Sequence, residues 1–189
     1  MKKLTSILLC SISAMPVFAS ESLQLGIGYS SLSVLDSRSQ IDYTDTVDSV
    51  HLAAKYVFND NVAVSGMYRI ASDSECETSF DTDCTDPAFE VSGIDINVLL
   101  GANLDNKRAL YGYTGLGIYS ETWDYNNGQV EDTFRGLQIP FGIGYNFGVV
   151  ALEAEYLMRL TGDYENGLSN YFSDDISAGL FSARALVSF

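Results

Sequence analysis

Between Leu137 and Phe147 the apolar residues occupy every second position. Leu137, Ile139, Phe141, Ile143, Tyr145 and Phe147 alternate with Gln138, Pro140, Gly142, Gly144 and Asn146. A helix would scatter the first set around its circumference, whereas a strand gathers all six on one face. The same period of two recurs in Leu23–Ser30, Val50–Phe58, Val62–Ile70, Ile94–Asn103, Val150–Arg159 and Phe181–Phe189. Ala109–Ser120 is less regular, and there Leu116 and Ile118 fall on the apolar face with Gly115 and Gly117 opposite. Eight strands of roughly 9–13 residues are each long enough to cross a bilayer when tilted.

The connections sort by length. Asn59–Asn61, Leu104–Arg108 and Gly148–Val149 are short, whereas Leu35–Thr46, Ser72–Ala88, Glu121–Thr133 and Thr161–Asp174 are long. Short turns at one end and long loops at the other mark an up-and-down barrel in an outer membrane. A soluble barrel would show the same alternation with its bulky face turned inward. Aromatic placement favours the membrane. Tyr56, Phe58, Tyr145, Phe147 and Phe189 gather near one end of the apolar face, and Tyr29, Tyr68 and Tyr156 near the other. Amphipathic rings settle at those two depths, the bilayer interfaces. With 10 Lys and Arg against 25 Asp and Glu, the net charge of −15 argues against nucleic acid as a partner. An aromatic content of 12% argues against disorder.

The N-terminus reads as an address. Lys2 and Lys3 precede the apolar Leu4–Ala14, Pro16 breaks any helix, and Val17-Phe18-Ala19 offers a cleavage site. We therefore expect residues 1–19 to be a signal peptide and residues 20–189 an outer-membrane β-barrel domain. The fold class expected is all-β, an eight-stranded antiparallel up-and-down transmembrane barrel after a cleaved signal peptide. Cys76 and Cys84 remain in the exported part, and an even pair there reads as a disulfide.

The alternating final strand that closes on Phe189, with Val187, Ala185 and Ala183 stepping back by two, resembles a known group. So do the Gly-rich stretches Leu116–Tyr119 and Phe141–Tyr145. These features are similar to the small outer-membrane barrels of Gram-negative bacteria, the OmpX/Ail, OmpA-barrel and opacity-type proteins. The resemblance implies a monomer in outer-membrane lipid and lipopolysaccharide, with the long loops extracellular. It also implies that Phe181, Val187 and Phe189 form the signal read by the barrel-assembly machinery. Members share a fold and differ in task, so the resemblance does not carry a function.

The second face of the strands carries His51, Lys55, Arg69, Asp95, Glu153, Glu155, Arg159 and Arg184. An eight-stranded barrel is just wide enough for side chains to fill. Charges inside must pair or meet water. Counting up from the short turns sets Arg69 level with Asp95, and Glu155 level with Arg184. We expect both pairs and a plugged polar interior, the alternative being a narrow ion or solute channel. Catalysis finds little support. Barrel lipid-A deacylases carry a Ser two positions after their His, and here the lone His51 is followed by Ala53. An outer-membrane lipid-A-modifying enzyme is thus a distant alternative. No cofactor is expected, and one His makes a weak metal site.

The long connections hold most of the acid. Asp73, Glu75, Glu77, Asp81, Asp83 and Asp86 cluster in one of them, which reads as a solvated repulsive loop; a Ca²⁺ site there lacks the Gly and Glu of an EF-hand. Trp123, Tyr125, Tyr164, Tyr171 and Phe172 are placed by the same reading in exposed loops, where aromatics could anchor a host or extracellular surface ligand or could equally lie in the headgroup layer. The expected role is structural or surface-interacting, in envelope integrity or adhesion.

Overall fold

The computed structural model describes residues 23–38, 41–78, 89–125, 130–161 and 176–189. They form eight strands: β1 (Leu23–Arg38), β2 (Ile41–Asn59), β3 (Val62–Thr78), β4 (Phe89–Ala102), β5 (Ala109–Tyr125), β6 (Val130–Asn146), β7 (Val150–Arg159) and β8 (Ile176–Ser188). Each pairs antiparallel with the next, and β1 pairs with β8 to close a barrel. The proposed signal peptide, Cys84 and the aromatic residues Tyr164, Tyr171 and Phe172 lie outside the described residues, so the Cys76–Cys84 pairing does too.

The apolar set faces outward. Leu116 is 70% exposed, and Ile27, Leu52, Ile96, Leu100, Ile143 and Leu152 are likewise exposed. The aromatic residues read as two interfacial rings all point out, and Tyr56 packs on Phe58 at 4.9 Å between ring centroids. A chain that exposes this much continuous apolar surface has hydrocarbon as its solvent.

Two of the long connections are mostly strand. β1 runs to Arg38 and β2 begins at Ile41, while β5 runs to Tyr125 and β6 begins at Val130. Strand lengths reach 19 residues, beyond the expected range. The cause is physical. Above the apolar belt the outward positions turn polar, as at Ser31, Ser33, Ser120, Thr122 and Thr133. Hydrophobic alternation fades there, but the backbone ladder continues, with Thr122 opposite Thr133 and Leu35 opposite Thr44. Trp123 is corrected with it. Its parity on β5 turns it into the barrel, where it is 2% exposed, instead of onto a loop surface.

The interior is also bulkier than a face of small polar residues and charges. Inward glycines make the room. A Cβ at Gly142 would lie 2.1 Å from the Tyr113 ring, and one at Gly144 would lie 2.3 Å from Tyr111. Gly136 sits likewise under Tyr119, and Gly93 under the Arg69 guanidinium. Each of these four large inward side chains thus lies over a neighbour that has none.

Ile96, in the outward apolar belt, provides a test of orientation. Ile96→Arg should cost about 2–4 kcal/mol if the position lies deep in the bilayer, whereas Ser120→Arg near the belt's edge should cost at most about 1 kcal/mol. Equilibrium urea unfolding in lipid vesicles reads both values.

Candidate functional site

The lumen is built in layers. Nearest the short turns, Val57, Ala63, Leu99, Leu104, Ala151 and Leu186 form an apolar stopper with the Tyr111 and Tyr113 rings. Leu104 reaches this layer because the β4–β5 turn folds back, its amide donating to the Asp60 carbonyl at 3.0 Å. Asn103 and Arg108 bracket that turn with φ of 63° and 54°, in the left-handed region that non-glycine residues seldom adopt.

Above the stopper lies an ionic layer centred on Glu153. Lys55 Nζ donates to Glu153 Oε2 at 2.5 Å, and Arg184 Nε donates to Oε1 at 2.6 Å. The Tyr111 and Tyr113 hydroxyls donate to the same carboxylate at 2.9 and 2.8 Å. Arg184 also meets Glu155 at 3.1 Å. The Lys55 ammonium lies 4.3 Å from the centroid of Tyr111, over its negative face.

A neutral polar layer follows. Gln138 donates to Asn97 at 2.9 Å, and the Ser30 and Ser49 hydroxyls are 3.0 Å apart. His51 is fully buried, packed over Gly28, where an added Cβ would stand 2.5 Å from its Nε2. Among the described residues neither of its ring nitrogens has a hydrogen-bond partner.

A second ionic layer joins four strands. Arg69 donates to Asp95 at 3.2 Å and to Glu121 at 2.8 Å. Arg159 reaches the same two carboxylates, at 3.1 Å for Asp95. Trp123 Nε1 donates to Glu121 at 2.9 Å, and Arg159 stacks 4.4 Å from the Tyr119 centroid. Leu32, Val34, Val47, Val91, Phe134, Ile176 and Leu180 belong to a second apolar cluster, which Met67 and Leu157 extend below Arg69 and Arg159.

The structure thus brings Arg69 to Asp95 and Glu155 to Arg184, and it links Lys55 to Glu153 across the lumen. Glu121 was missed by sequence reasoning because it was placed at the start of a loop. Its parity with Tyr119 and Trp123 on an extended β5 was the available signal. Four buried cations, Lys55, Arg69, Arg159 and Arg184, face four buried carboxylates, Asp95, Glu121, Glu153 and Glu155. Their formal charges cancel, while the whole chain carries −15. Among the described residues no group of three His, Cys, Asp or Glu side chains is placed to hold a metal ion.

A closed eight-stranded barrel with a lipid-type outer face and a packed ionic lumen narrows the comparison with known proteins. Residues 5–189 match the family described as outer membrane protein beta-barrel domain. The chain belongs to that family. Its place is the cell outer membrane. Among solved structures it is similar to Ail, the attachment invasion locus protein of Yersinia pestis, at 15% identity and a TM-score of 0.53, covering 90% of this chain and 100% of that one. It is similar to Neisserial surface protein A at 16% identity and a TM-score of 0.59, over 90% and 98% of the two chains. OprG from Pseudomonas aeruginosa aligns at 12% identity and a TM-score of 0.51, over 88% and 92%. At these identities the likeness is one of fold. No curated protein sequence matches this outer-membrane barrel.

The ionic layers predict strong coupling. Glu121→Leu should destabilise the barrel by about 3–5 kcal/mol, because it leaves Arg69 and Arg159 buried with half their partners. Combined with Arg159→Met, the loss should fall well short of the sum of the single variants. A double-mutant cycle by urea unfolding in vesicles measures the shortfall.

Proposed function

We propose that this outer-membrane barrel acts through its outer surfaces, in envelope integrity or adhesion, and conducts nothing through its lumen. The observation that supports this reading is the filled interior. Two apolar clusters and two ionic layers fill it, and in the ionic layers each charged side chain lies against an opposite charge. A hydrated ion would have to displace packed Leu, Tyr and Trp side chains and separate buried pairs, each at a cost of several kcal/mol.

The strands add support from the other side. β1, β2, β5 and β6 continue past the apolar belt with hydroxyl and acidic residues on their outward face, such as Ser33, Thr122, Asp124 and Glu131. Surface-interacting proteins need structure beyond the headgroups, and a bare membrane anchor does not. A role in lipid chemistry gains nothing from His51, which is enclosed in the middle layer and has no route to a lipid ester on the outer wall.

Two measurements test the reading. Purified protein in planar bilayers should leave the current at baseline, and a steady large conductance would falsify the closed lumen. A deletion strain should lose adherence or become sensitive to detergents. An unchanged envelope and unchanged adherence, with an altered lipid-A mass spectrum, would overturn the assignment in favour of an enzyme.

A further inference from the structure

The apolar outer wall is indented on one side. Where β6, β7, β8 and β1 adjoin, an open groove of about 610 Å³ indents the apolar belt. Ala154, Ala183 and Ala185 form its floor, and Ile27 stands along one side. These positions are neighbours by register: Ala154 is opposite Ala183, and Ala185 is opposite Ile27. The outward neighbours Ile143, Leu152 and Phe181 carry larger side chains. Leu110 and Tyr145 close the end of the groove nearest the short turns.

That end leads to the chain's scarcest resource. Of ten Lys and Arg, Lys2 and Lys3 stand at the N-terminus and four are sealed in the lumen. The remaining four are Arg38, Lys107, Arg108 and Arg135, so half of them stand side by side in the β4–β5 turn. Both are exposed. The Tyr145 hydroxyl donates to the Arg108 carbonyl at 3.2 Å, which ties the turn to the groove's lower end. Asp105 shares the turn, leaving it one net positive charge on a chain of −15.

We propose that the groove and the Lys107–Arg108 pair form one binding site for an anionic phospholipid. An acyl chain lies over the alanine floor, and the headgroup phosphate sits against the two cations. In a membrane the groove must be filled by something apolar, since an empty groove forfeits dispersion contacts on one side. The cations at its interfacial end decide which apolar molecule. A second copy of this chain would bring its own acidic surface and no phosphate, whereas an anionic headgroup matches Lys and Arg placed at the bilayer surface. The short-turn end is the periplasmic end in barrels of this kind, so the lipid is one of the periplasmic leaflet.

The test is native mass spectrometry of the folded full-length barrel released from detergent with added phosphatidylglycerol or phosphatidylcholine. Wild type should retain one phosphatidylglycerol about fivefold or more in preference to phosphatidylcholine. Lys107→Glu combined with Arg108→Glu should abolish the preference. Ala183→Phe, which fills the floor, should lower retention of both lipids. Heat-dependent electrophoretic mobility confirms that each variant is folded. If Ala183→Phe does not fold, the exposed turn variant decides alone. Equal retention of both lipids by wild type would overturn the proposal as unselective coating. A wild-type dimer dissolved by Ala183→Phe would overturn it in favour of a second copy.

Discussion

In hydrocarbon a backbone amide has no water to turn to, so an open sheet edge cannot stand within the membrane. The ladder between β1 and β8, from Gln24 opposite Ser188 to Asp36 opposite Ile176, removes both edges. Everything else follows from that closure. Eight strands closed on themselves leave a lumen only as wide as the side chains that fill it. Any charge on the inner wall is then desolvated and needs an opposite charge close by. The four cations and four carboxylates inside the barrel meet that demand with hydrogen-bonded pairs, and tyrosine and tryptophan donors take up further carboxylate lone pairs.

How much of this could be read from the sequence depends on which face is considered. The outer wall was legible because lipid selects one kind of residue, so Leu137 through Phe147 advertise their side at every step. The inner wall admits Leu104, Tyr113, Glu153 and Gly142 alike, and no periodicity marks such a mixture. Tyr111 and Tyr113 show the difficulty. They share a parity, but Leu110 flanks them on the other parity, so β5 offers two plausible faces. Glu121 and Trp123 were hidden for a related reason: the apolar contrast had ended, although the ladder had not. Partner choice is harder still. Lys55 reaches Glu153 across the lumen through a stagger of strands that no local pattern encodes.

The glycines that make the sequence look like a loose repeat have a definite place. Gly142 and Gly144 lie opposite Tyr113 and Tyr111 in the β5–β6 ladder, and the rings lie over them. The rings thereby carry their hydroxyls to Glu153 on β7, beyond the intervening strand. An absent side chain on one strand is thus what lets a second strand bond to a third. The same device seats Arg69 over Gly93 and His51 over Gly28.

The upward continuation of the strands has a mechanical meaning. From Ser31 to Arg38, β1 adds eight residues above its apolar stretch, and β2 and β3 rise beside it. At about 3.3 Å per residue and a tilt near 45°, that is roughly 20 Å of stiff sheet. A tether of the same length would let its tip wander back to the headgroups. This mast holds its tip at a set altitude, so whatever approaches the cell meets it before it meets the bilayer.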